Sequence, residues 1–157
     1  MKIVLLQVGK TDDKYLSEGL SVYHSRIQKL IPFEEKTVEE SKARQKKPVS
    51  VVKKEEAERI LAVCRKGDIL ILLDEAGESM GSRNFATFLQ KTMNAGPRRI
   101  VFIIGGPGGA HHELKDRADQ VLSLSAMTFS HQLVRLLFAE QLYRALTILK
   151  GIPYHND

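Results

Sequence analysis

Three short segments hold most of the chemistry available to this chain. The first is Gly105–Gly106–Pro107–Gly108–Gly109, directly after the apolar run Ile100–Ile104. Glycines there bring a ligand against bare backbone N–H and C=O groups. The space beyond the carboxyl end of a strand is also where open α/β sheets bind ligands. The second segment is Ser123–His131, SLSAMTFSH, rich in small hydroxyl residues. It reads either as a helix start capped by Ser130 or as a ligand cradle paired with the glycine loop, and the residues alone leave both open. The third joins Arg144 to the tail Pro153–Tyr154–His155. Arg144 follows Glu140 at the spacing of an ordinary ion pair along one helix face. Tyr154 and His155 lie where a disordered end is the usual expectation. An aromatic ring and an imidazole directly after an apolar helix nevertheless suit proton transfer near neutral pH.

Several other chemistries fail on spacing. GxGxxG would follow the first strand, with an acid further on, and a P-loop needs Gly-Lys-Ser/Thr where Ala110–His111–His112 stands. A dinucleotide oxidoreductase is disfavoured because Val8–Gly9–Lys10–Thr11 offers a single glycine. His111–His112–Glu113 lacks the second histidine one turn on, where Asp116 stands, so no metal site is expected. Ser130 and His131 are adjacent, which suits no Ser–His–Asp relay, and GxSxG is absent.

The elements that must position these residues alternate. Ile3–Val8, Asp68–Asp74 and Ile100–Ile104 are apolar runs that read as strands buried on both faces. Phe33–Val38 is a weaker strand and Gln120–Leu124 a fourth short one besides the three buried runs. Leu16, Leu20, Tyr23, Ile27 and Leu30 form the apolar stripe of a first helix. Val51–Lys66 predicts a second helix, Ser82 to about Gly96–Pro97 a third, His111–Ala118 a short fourth, and His131–Lys150 a long last one. Gly77 and Gly81 mark a loop after the Asp68–Asp74 strand, and Glu39–Pro48 reads as a polar surface loop. The pattern predicts an α/β fold, a mostly parallel sheet with helices on both faces, in one domain spanning 1–157. The last helix is apolar around most of its circumference, which predicts a homodimer burying its second side.

With 157 residues, 24 Lys plus Arg and 19 Asp plus Glu, the chain carries a net charge of +5. A surplus of that size suits an anionic partner such as RNA without requiring one. Nine Lys or Arg and only three Glu fall between Lys42 and Lys66, so this segment concentrates the basic charge. The single cysteine, Cys64, excludes a disulfide framework or a thiolate metal cage. No apolar run is long enough to span a bilayer, and the opening run Ile3–Leu6 is too short for a signal peptide, so a cytoplasmic location is expected.

IGGPGG at Ile104–Gly109, LSLSAMTFSH at Leu122–His131, EQLYRA at Glu140–Ala145 and PYH at Pro153–His155, with KIVLLQVGK at the start, closely resemble the RlmH family of SPOUT RNA methyltransferases. The resemblance covers the whole chain, and Ser130 departs from it where relatives often carry proline. It implies a C-terminal portion threaded as a trefoil knot, an exception to the usual rule. It also implies a homodimer that uses S-adenosylmethionine to methylate N3 of a pseudouridine in 23S ribosomal RNA within assembled ribosomes. Carried onto this sequence, the cofactor positions are Leu73, Gly105, Leu124, Ser125, Ala126, Met127, Thr128 and Phe129. The positions for catalysis and substrate handling are Arg144, Tyr154 and His155, with His131 a weaker candidate. A non-catalytic ribosome-binding module keeping the same fold is the alternative in another class.

Overall fold

The computed structural model describes every residue except Ala43, which lies inside the expected loop Glu39–Pro48. Five strands, β1 (Lys2–Val8), β2 (Phe33–Val38), β3 (Ile69–Ser79), β4 (Arg99–Ile104) and β5 (Gln120–Ser123), form one parallel sheet ordered β2-β1-β4-β3-β5. The helices are α1 (Lys14–Gln28), α2 (Val49–Val63), α3 (Ser82–Asn94), α4 (His112–Arg117) and α5 (Leu133–Lys150).

Alternate side chains of each inner strand point to opposite faces, and both faces are covered. Ile3, Leu5, Ile100, Phe102 and Ile104 pack with Leu20 and Ile27 of α1, Phe85 and Leu89 of α3, and Phe138 and Leu142 of α5. Val4, Leu6, Val101 and Ile103 pack with Ala57 and Ile60 of α2 and Leu114 of α4. This two-sided burial is why the inner strands read as unbroken apolar runs.

Two boundaries differ from expectation. The β3 strand does not stop at Asp74 but resumes beside β5 as far as Ser79. Leu122 pairs with both Leu73 and Glu78, so Asp74–Gly77 bulges out of the ladder. A Cβ on Gly77 would lie 2.7 Å from the backbone of Val121 and Leu122. Gly77, expected as a loop marker, is therefore a close backbone approach within a sheet. The last helix begins at Leu133 rather than His131, because residues 130–132 form a capped turn: Leu133 N–H donates to Ser130 Oγ at 3.1 Å and Val134 N–H to Ser130 O at 3.0 Å.

Beyond α5 the chain turns back on itself. Gly151 adopts φ +66°, which favours glycine, and Ile152 N–H donates to Thr147 O at 2.9 Å. With Gly151 N–H donating to Ile148 O, this is a Schellman ending. At the other end of α5, Arg135 is fully buried and donates to Val8 O, Gly9 O and Thr11 Oγ1, clamping the β1–α1 connection to the helix.

Candidate functional site

The carboxyl ends of β4, β3 and β5 are neighbours, so the segments after them form one cleft of about 290 Å³. Its walls are Leu73–Glu75, Gly105–Ala110, Leu124–Ser125 and Met127–Phe129, with His131 and Val134 behind. The glycine loop is shaped by its own backbone: Gly109 N–H donates to Gly106 O at 3.0 Å and Gly109 adopts φ +87°. Behind it stands Glu56, whose Oε2 would lie 2.4 Å from a Cβ at 106, so any side chain there would have to displace that carboxylate. Burial pushes the Glu56 carboxyl above its ordinary range. The opposite wall is braced by hydroxyls. Ser125 Oγ accepts from Met127 N–H at 3.0 Å, Ser123 Oγ donates to Ser125 O at 2.8 Å, and Thr128 Oγ1 donates to Glu75 Oε2 at 2.5 Å.

His131 Nε2 lies in this wall, buried and without a hydrogen-bond partner among the described residues. Burial, followed by the charge of Arg135, holds its imidazole below the ordinary value. An orphaned polar atom in a ligand cleft is a place for a ligand group to bond. Exposed backbone and that unpartnered nitrogen together fit a small polar cofactor.

A second cavity of about 490 Å³ adjoins the first, sharing Leu73, Leu124, Ser125 and Phe129 as common walls. Its far side is Ser82 and Phe85 of α3 with Leu137, Glu140, Gln141 and Arg144 of α5. The pair matches the usual size of small-molecule sites. Arg144 is held by three neighbours. Its Nη2 donates to Glu140 Oε1 and its Nη1 to His155 Nδ1 at 3.1 Å, while its guanidinium lies 4.8 Å from the centre of the Tyr154 ring. Tyr154 donates to Glu140 Oε1 at 3.0 Å and meets Tyr23 Oη at 3.4 Å. Burial, with the Tyr23 and Glu140 hydrogen bonds, raises its phenol far above the ordinary value, so Tyr154 is a neutral donor near neutral pH. His155 Nε2 faces Asp157 Oδ1 at 3.1 Å, and Arg83 Nε and Nη2 grip that carboxylate at 2.6 Å each.

The structure thus brings Arg144, Tyr154 and His155 together, although they come from a helix and a tail. The expectation of a mobile tail is corrected: it is docked, with the His155 side chain only 15% exposed. Seven of the eight expected cofactor positions line the first cleft; Ala126 lines neither cavity, and Met127 is 74% exposed at the lip. His131 belongs to the first cleft and is separate from the Arg144 group. No sequence signal marks Glu75 or Arg83, whose partners lie far away along the chain, nor Asp157 beside His155; Tyr23 is visible only as part of a helix stripe and Glu140 only as a helix-spaced ion-pair partner.

His111, His112 and Glu113 place ligand atoms within 4.8 Å of one another. His111 Nδ1, however, accepts from Glu113 N–H at 3.2 Å as the cap of α4, which gives that residue a structural task. The basic segment covers the outside of α2 and the preceding loop. Arg44 and Lys47 pair with Glu40 and Glu55, while Lys42, Lys46, Lys54 and Lys66 are exposed and enter no ion pair among the described residues. This surface reaches the cleft, since a Cβ on Gly108 would touch Val49 and Lys53 of α2. Among the described residues, no helix is long and apolar enough to cross a membrane.

A parallel sheet with a glycine-walled cleft at its carboxyl edge defines an α/β protein that binds a cofactor-sized ligand. The family model described as "Predicted SPOUT methyltransferase" matches residues 1–155. The Ribosomal RNA large subunit methyltransferase H of Christiangramia forsetii is 46% identical over 156 residues, 99% of each chain. The protein of the same name from Parabacteroides distasonis is 43% identical over 157 residues and the full length of both. The solved structure of a probable methylase family protein from Haemophilus influenzae is similar in fold, with a TM-score of 0.51 and 11% identity over 99% of this chain and 70% of that one. The chain belongs to the SPOUT methyltransferases, and within them to the RlmH family. Its cofactor is S-adenosylmethionine.

Proposed function

We propose that this protein methylates N3 of a pseudouridine in 23S ribosomal RNA, acting on assembled ribosomes in the cytoplasm as a homodimer. The observation that carries the reading is that Arg144, with His155 and Tyr154 gathered on its guanidinium, lines a cavity that shares a wall with the glycine-lined cleft. In this reading Leu73, Gly105, Leu124, Ser125, Met127, Thr128 and Phe129 hold S-adenosylmethionine, with Ala126 keeping the loop's path, and the target base enters the second cavity. The trefoil threading expected of the family belongs to the same reading.

When bound, the cofactor supplies a methyl group already activated by its sulfonium. The protein's own task is alignment and proton removal. N3 of pseudouridine carries a hydrogen and attacks poorly until that proton leaves. The His155 Nδ1 lone pair is the site that receives it, and Nδ1 is occupied by Arg144 Nη1–H. Base and guanidinium must therefore exchange partners. As the uracil ring enters, Arg144 moves from Nδ1 to a carbonyl oxygen of the base, where it stabilises the developing negative charge. Nδ1 then takes the N3 proton, which leaves the N3 lone pair free to accept the methyl group. Tyr154, held neutral, stacks on or hydrogen-bonds the base.

The dimer is supported by α5, where Leu133 and Leu137 stay half-exposed on the face that also bears Arg144. A second copy over this face would wall the substrate cavity. The basic α2 surface supplies phosphate contacts. The test is transfer of labelled methyl to ribosomes lacking the modification: label at N3 of one large-subunit pseudouridine is expected, and no label with intact cofactor binding contradicts the reading.

A further inference from the structure

We propose that Asp157 and Arg83 are positioning residues for His155, forming a clamp that fixes both the orientation and the tautomer of its ring. The proposal rests on the reading of His155 as the base, but its geometry stands apart from that reading. Guanidinium groups only donate. Arg144 Nη1 lies 3.1 Å from His155 Nδ1, so Nδ1 is the accepting nitrogen and Nε2 carries the hydrogen. That hydrogen points to Asp157 Oδ1 at 3.1 Å, and a carboxylate only accepts. The two hydrogen bonds demand the same tautomer from opposite edges of the ring.

Asp157 is in turn fixed by a two-pronged grip, Arg83 Nε to Oδ1 and Nη2 to Oδ2, both 2.6 Å, from the first turn of α3. A forked pairing of this kind sets a carboxylate's plane as well as its position. When Arg144 leaves Nδ1 for a substrate, only Asp157 still holds the ring. The same carboxylate then faces the Nε2–H of an imidazolium and stabilises the charge that arrives with the proton. This is the division of labour between an acid and a histidine in hydrolytic triads. Arg83 and Asp157 are 59% and 69% exposed, so the pair contributes little to folding stability. Its consequence lies in the ring it orients.

The test uses the full chain labelled with nitrogen-15 in its histidines. Long-range proton–nitrogen spectra read the protonation of each ring nitrogen of His155. The wild-type protein is expected to show hydrogen on Nε2 alone. In an Arg144→Ala background, where nothing donates to Nδ1, Asp157→Ala and Arg83→Ala should each give a mixture of tautomers at unchanged melting temperature. The double variant should add nothing, because both residues act through one hydrogen bond, and Arg83→Lys should recover part of the order. With Arg144 intact, methyl transfer by Asp157→Ala or Arg83→Ala should fall about 10- to 100-fold in kcat, by analogy with partners that orient metal-bound histidines, while KM for S-adenosylmethionine stays unchanged. A single Nε2–H tautomer in both alanine variants on the Arg144→Ala background overturns the clamp. Mixed tautomers with undiminished methyl transfer uphold the clamp and instead remove His155 from catalysis.

Discussion

Arg144 Nη1 and His155 Nδ1 share a hydrogen bond of 3.1 Å, so the cation and the one free lone pair of the imidazole occupy each other. The imidazole lone pair is not available to a substrate until the guanidinium lets go. Glu140, which binds both Arg144 and Tyr154, keeps the set in register from one turn earlier on α5. Arg144→Ala should therefore lower kcat about 10²- to 10³-fold, the scale of a lost oxyanion donor. Cofactor affinity measured by calorimetry should not change, because Arg144 does not line the first cleft.

Arg135 carries a different burden. Its guanidinium is buried, and burial lowers its pKa, yet it bonds two main-chain carbonyls, Val8 O at 2.5 Å and Gly9 O at 2.9 Å. Arg135→Ala strands those carbonyls, at a cost of about 2–4 kcal/mol. The expected fall in melting temperature is roughly 5–12 °C for a domain of this size.

Stability should also decline in mild acid. Burial lowers the pKa of His24 against the pull of Glu35, and burial with Arg135 lowers that of His131. Both rings are held neutral in the folded chain, whereas the unfolded chain takes up their protons near the ordinary value of 6.5. Their contribution is complete above that pH and is lost as pH falls through and below it. Urea midpoints should drop between about pH 7 and pH 5, the window in which unperturbed histidines charge, and His24→Gln should flatten the slope. A midpoint constant over that interval would contradict this.

The charge on α2 and its preceding loop can be tested by salt. Lys46 and Lys54 are exposed and outside every ion pair among the described residues, so reversing them disturbs no partner. Lys46→Glu with Lys54→Glu should raise KM for ribosomes and recover at low ionic strength, with the salt slope shallower by about one unit for each phosphate no longer neutralised. Unchanged KM at all salt concentrations would assign that surface to solvent alone.

The fold was legible because each inner strand is buried on both faces, so Ile3–Val8 and Ile100–Ile104 stand out as apolar runs. The cofactor cleft was legible for a related reason: Gly105–Gly109 directly follows β4. Gly77 misled because a glycine required by a backbone 2.7 Å away has the same letter as one required by a turn. The docked tail was also out of reach, since its anchors Glu140, Tyr23 and Arg83 lie 14, 131 and 74 positions from the residues they hold. Local periodicity carries no trace of such pairs. The family resemblance named Arg144, Tyr154 and His155, but only the folded chain shows the hydrogen bonds that join them.

The most direct measurement is methyl transfer from labelled S-adenosylmethionine to ribosomes lacking the modification, with free 23S RNA and His155→Ala protein run in parallel. The predicted result is one labelled large-subunit pseudouridine, modified at N3, and little label with the variant despite normal cofactor binding. Label at another position, or an equally active His155→Ala protein, would contradict the proposed chemistry.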